Sequence, residues 1–114
     1  MKAEELMVGD WVQLTQSPNK ISKIENDRGF YTVWCGGVGT PEDFVEPIPL
    51  TPEILEKSGF VNTLPWWMFE DFGVIFNEDG IRASVTGHLS LHIKYVHELQ
   101  HALRLFGIDK EIEL

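Results

Sequence analysis

The chain has 114 residues, 9 Lys+Arg against 18 Asp+Glu and a formal charge of −9, with 43% hydrophobic, 11% aromatic and 24% charged residues. That mixture is too apolar for a disordered chain and too charged for a membrane protein, and no stretch reaches the ~18 apolar residues a span requires. The acidic balance also disfavours nucleic-acid binding, which needs clustered Lys and Arg to meet phosphates.

The opening Met1-Lys2-Ala3-Glu4-Glu5-Leu6 turns acidic at once and lacks the apolar run of a signal peptide. With a single cysteine, Cys35, there is neither an intramolecular disulfide nor a Cys-based zinc site, and a soluble protein of the cytoplasm is expected. Trp11-Val12-Gln13-Leu14-Thr15 alternates as a strand does, Gln16-Ser17-Pro18-Asn19-Lys20 reads as a turn, and Ile21-Ser22-Lys23-Ile24 as a second strand. Asp27-Arg28-Gly29 then turns the chain into Phe30-Tyr31-Thr32-Val33-Trp34-Cys35. Gly36 to Pro41 is too rich in glycine to extend that strand, and Phe44-Val45 suits a short closing one. Short strands at this spacing predict an SH3-like antiparallel β-barrel or bent sheet over residues 1–50.

The texture changes at Pro47-Ile48-Pro49-Leu50, yet the charge does not: residues 1–50 carry four positive and eight negative side chains, residues 51–114 five and ten. One compact domain, 1–114, with a β part and a helix-hairpin-helix part is therefore expected. Thr51 suits an N-cap, Pro52 the first helical position and Gly59 the left-handed position after the end, so a short helix over 52–58 follows, stapled by Leu50 and Leu55. Strand-like runs come next: Leu64 to Phe69, Gly73 to Phe76 and Ile81 to Val85, the last two joined by the hairpin turn Asn77-Glu78-Asp79-Gly80. A long amphipathic helix is predicted over Leu91–Phe106, capped by Ser90 and stopped by Gly107, with Glu111 to Leu114 as a possible terminal strand. The class is α+β.

His97-Glu98-Leu99-Gln100-His101 satisfies H-E-x-x-H, in which two imidazoles on one helix face hold zinc and the glutamate acts on its bound water. On a wheel centred on Leu99, His92, Tyr95, Val96, Ala102, Leu103 and Phe106 share the apolar side, whereas His97 and His101 fall about 160° away, between Lys94 and Arg104. Both imidazoles are thus expected to face solvent. A third ligand is missing from the usual spacing: Arg104 and Gly107 stand where the pattern would continue, and Asp109, Glu111 and Glu113 are the late candidates, with His88 preceding the helix. No cofactor and no metal is assigned.

Gly36-Gly37-Val38-Gly39 lacks the Lys-Ser/Thr and the helix of a phosphate loop, Cys35 has no adjoining base, and Glu70-Asp71 and Glu78-Asp79 read as acidic turns. Trp66-Trp67 carries more information. Neighbours in a strand point to opposite faces, so both indoles are buried only if both faces are covered; otherwise one is left for a partner or for self-association. Trp66 and Trp67 are the candidate partner-binding residues.

Three segments carry a resemblance: Glu5-Leu6-Met7-Val8-Gly9-Asp10-Trp11-Val12, the run from Glu46-Pro47-Ile48-Pro49-Leu50-Thr51-Pro52-Glu53-Ile54-Leu55 through Glu56-Lys57-Ser58-Gly59-Phe60, and Ile93-Lys94-Tyr95-Val96-His97-Glu98-Leu99-Gln100. Together they resemble a family of short uncharacterised proteins encoded by gut bacteria and their phages or mobile elements, whose closing motif often reads His-Gln-Leu-Gln-Asn. The resemblance implies no activity, and implies that Glu98 and His101 form an incidental H-E-x-x-H. The expected function is a non-enzymatic accessory or protein-interaction module, with a minimal zinc-dependent hydrolase as the alternative.

Overall fold

Period-2 patterning and closely spaced turn residues build most of this molecule from short antiparallel strands. The computed structural model describes residues 1–14, 17–85 and 90–114, which divide into two compact units, Met1–Ile48 and Pro49–Leu114.

In the first unit β1 (Trp11–Leu14) pairs with β2 (Ser17–Lys20) and β6 (Val45–Glu46), while β4 (Phe30–Cys35) pairs with β3 (Lys23–Asp27) and β5 (Val38–Pro41). Alternation decides which side chains go inward: Val12 and Leu14 of β1, and Val33 and Cys35 of β4, join Ala3, Leu6, Ile21 and Val45 in one apolar cluster. Two expectations are corrected. Ser17–Lys20 is a strand rather than a turn, in register from Trp11↔Lys20 to Leu14↔Ser17. It is an edge strand, where Pro18 costs no ladder hydrogen bond. The glycines at 36 and 37 turn the chain, so that Val38–Pro41 returns along β4 as a second edge strand. The strands form two three-stranded sheets, β2-β1-β6 and β3-β4-β5, and do not close into a barrel. Thr15 and Gln16 of the expected strand and turn lie outside the described residues.

The second unit is a five-stranded meander in the order β11-β10-β9-β8-β7, from β7 (Val61–Thr63), β8 (Trp66–Phe69), β9 (Phe72–Asn77), β10 (Gly80–Val85) and β11 (Ser90–Ile93), with helices α1 (Pro52–Lys57) and α2 (Val96–Leu105). The caps work as their chemistry requires: Thr51 Oγ1 accepts from the Ile54 N–H at 3.4 Å, and Gly59 follows the helix at φ +92°. One sheet face carries the core. Phe72, Val74 and Ala83 are fully buried, Ile93 nearly so, and the Phe72 ring meets Phe60 at 6.3 Å and Phe106, at the end of α2, at 6.0 Å.

The long helix expected over Leu91–Phe106 is a correction of consequence. Ser90–Ile93 is instead a strand, in register from Ile81↔Ile93 to Ser84↔Ser90, and the helix begins at Val96. In a strand, Leu91 and Ile93 both reach the apolar face, and β10 gains an outer partner; Lys94 then ends the strand by accepting from the Leu50 N–H at 3.1 Å. The closing segment is no strand either. Ile112 is buried, and the Glu113 N–H donates to Ser58 Oγ at 2.9 Å, while that hydroxyl donates to the Ile54 carbonyl at 2.7 Å, so the tail is anchored on α1. No helix among the described residues is long and apolar enough to cross a membrane.

Candidate functional site

The shortened helix rearranges the H-E-x-x-H residues. His97 sits in the first turn of α2 and is only 5% exposed, so the expectation that it faces water is wrong; its ring stacks on Tyr95 at 5.9 Å with 9° between planes. The wheel failed here because burial in a first turn depends on what precedes the helix, and Tyr95 is extended rather than helical. His101 is half-buried, its ring centroid 5.7 Å from that of His97 at 75°. Glu98 is the N3 residue, and its Oε1 accepts from the backbone N–H groups of Lys94 at 2.8 Å and Tyr95 at 3.0 Å. These bonds supply the glutamate half of a capping box and satisfy donors the helix start would otherwise leave open. The carboxylate that a hydrolase would use as its base is engaged in holding the helix end.

Glu98 and His101 do line one cavity, about 370 Å³, with Leu91, Ile93, Leu105 and His92. His92, expected on the apolar side of a helix, is an exposed residue of β11. Among the described residues no three His, Cys, Asp or Glu side chains come together to hold a metal. His88 lies outside the described residues.

The two tryptophans separate as neighbours in a strand must. Trp67 stands opposite Val74, on the face that carries the core, and Trp66 opposite Ile75, on the other face. Both are half-buried. Trp66 and Met68, two positions apart, lean over the buried Gly73: a Cβ there would lie 2.9 Å from Trp66 Cε3 and 2.8 Å from Met68 Sδ. Only a glycine lets the indole lie against the sheet backbone at this point. Among the described residues, Trp66, Met68, Asp71, Gly73 and Ser84 line an open cleft of about 270 Å³. On the neighbouring strand Val61, opposite Met68, is 62% exposed, and Leu64, in the turn before Trp66, is 82% exposed.

The other candidates take the following places. Cys35 is buried, and burial pushes its thiol pKa up, the reverse of what a nucleophile needs. Glu70-Asp71 joins β8 to β9 and Glu78-Asp79 joins β9 to β10, so the two acidic pairs occupy opposite ends of one strand. Of the cleft, sequence reasoning found Trp66 but not Met68, Asp71, Gly73 or Ser84. Alternation already places Met68 beside Trp66; Gly73 and Ser84 join them only through the registers Met68↔Gly73 and Gly73↔Ser84, which two short turns set. Comparison with known proteins finds no matching family model, no matching curated protein and no matching solved structure.

Proposed function

We propose that this chain is a non-enzymatic accessory protein, an interaction module that engages a protein partner through the sheet face bearing Trp66. The observation that carries this is the cleft itself: a half-buried indole at the wall of a cavity, with Val61, opposite Met68, exposed on the neighbouring strand. Large aromatics in such partly desolvated settings are the residues on which binding energy concentrates. Trp66 is favoured over Trp67, which faces the side of the sheet where the core is built. The hydrolase alternative is disfavoured because Glu98 already accepts two backbone N–H groups. The SH3-like reading of residues 1–50 belongs to this same proposal, as does the resemblance to proteins of phages and mobile elements, which implies no activity of its own.

Immobilised chain exposed to a bacterial lysate tests it, alongside Trp66→Leu and Trp67→Leu variants checked for folding by circular dichroism. A partner bound at a defined stoichiometry and weakened roughly 30-fold or more by Trp66→Leu, as for a hot-spot residue, is the expected result. Equal binding by the wild-type chain and the folded Trp66→Leu variant would refute it.

A further inference from the structure

We infer that Arg82, on the sheet face that bears Trp66, receives a carboxylate side chain, Asp or Glu, from a partner segment whose apolar residues lie on Trp66 and Ile75. This rests on the reading of that face as the interaction surface and gives the partner its chemistry.

The strand registers fix what this face presents. Pairing runs Thr63↔Trp66, Trp66↔Ile75, Ile75↔Arg82 and Arg82↔His92, one continuous row across all five strands. The row beside it runs Val61, Met68, Gly73, Ser84 and Ser90. Neither row holds an Asp or a Glu, although the chain has 18 of them. Arg82 is the one Lys or Arg in either row.

That guanidinium has no counter-ion of its own. Arg82 is half-buried, its Nε is enclosed with no hydrogen-bond partner, and among the described residues no carboxylate pairs with it. Asp71, in the turn between β8 and β9, is engaged with another group. The residues outside the described set, Thr15, Gln16, Thr86, Gly87, His88 and Leu89, include no Asp or Glu. A charge taken partly out of water loses hydration that an anion best replaces, and the planar fork of an arginine matches a carboxylate. His92, exposed and directly opposite Arg82, adds a ring N–H donor. Trp66 stands two strand spacings from Arg82, about 10 Å, with Ile75 between them, a distance that about three residues of extended chain cover.

Net charge limits the partner further. At −9 the chain repels a polyanion, so the match is a single carboxylate on a partner otherwise neutral or basic, and not a nucleic acid or an acidic run.

A titration of the full chain, followed by amide NMR, tests this. The probes are peptides Leu-Ala-X-Ala-Leu, capped at both ends so that only X carries charge, with X as glutamate, its neutral isostere glutamine, or lysine. The glutamate peptide is expected to shift the Ile75, Arg82 and His92 amides saturably, with the other two at least about five-fold weaker. Arg82→Gln is expected to remove that preference and Arg82→Glu to pass it to the lysine peptide, the folding of both being checked by circular dichroism. The glutamate-to-glutamine comparison on the wild-type chain needs no variant, so it decides even where those chains fail to fold. Trp66→Leu is expected to weaken the glutamate and glutamine peptides alike. Equal binding of those two peptides, or a preference that survives Arg82→Gln, overturns the carboxylate assignment and leaves the interaction reading standing. No response to any peptide overturns the assignment as well, and the dependence of a lysate partner on Trp66 then reports separately on the interaction reading.

Discussion

Gly73 and Cys35 show how a single position ties sequence to structure. At Gly73 a methyl group would press on Met68 Sδ and Trp66 Cε3, 2.8 and 2.9 Å away. The thioether can swing aside but the indole cannot do so freely, so Gly73→Ala is expected to cost about 1–2 kcal/mol and to change the tryptophan emission, read from urea melts followed by fluorescence. At Cys35 burial raises the thiol pKa above its value in the unfolded chain. The linked stability is therefore fully present below the unfolded-state pKa and is lost as pH rises through the folded-state one. Melts at increasingly alkaline pH should show this decline, and Cys35→Ala should lack that component. Reaction with a thiol reagent at neutral pH should be slow in the native protein and fast in urea.

At the level of elements, α2 is defined by its beginning. Glu98 joins the helix to the end of β11 by accepting from the N–H groups of Lys94 and Tyr95, and His97 is buried beside it. Glu98→Ala is expected to destabilise the protein by about 1 kcal/mol and Glu98→Gln by less, since an amide oxygen can still accept. A hydrolase would show the opposite pattern, with activity lost and stability kept, so a denaturation series on these two variants separates the readings. Helix α1 was legible because its signals are local: the Thr51 cap, Pro52 and Gly59 act within a few residues of themselves. The β9–β10 hairpin was legible for the same reason, the turn residues standing between two alternating runs. Ser90–Ile93 was not, because Leu91 and Ile93 satisfy a helical stripe as well as a strand face. What decides between them is the edge of β10, far away in sequence.

Across the whole molecule, the excess of carboxylates disfavours the folded state through self-repulsion and favours positively charged partners. Raising ionic strength from a few millimolar to about 0.15 M is accordingly expected to increase the urea midpoint of the free protein; an unchanged or lowered midpoint would mean that self-repulsion does not limit its stability. The chain divides between Ile48 and Pro49 into a unit of two small sheets and a unit of one five-stranded meander with two helices, so each core is small and every edge-strand residue counts.

The sequence by itself determined the α+β class, the antiparallel pairing, the first helix with both of its ends, and the opposed directions of Trp66 and Trp67. All of these follow from residues within a turn or a strand of one another. Only the tertiary structure decided that the first unit is two open sheets, that Ser17–Lys20 and Ser90–Ile93 are strands, that His97 is buried, and that Gly73 and Ser84 meet Trp66 in a cleft. Each of those depends on register between distant strands, where a slip of one residue turns every side chain to the other face and leaves the local pattern unchanged.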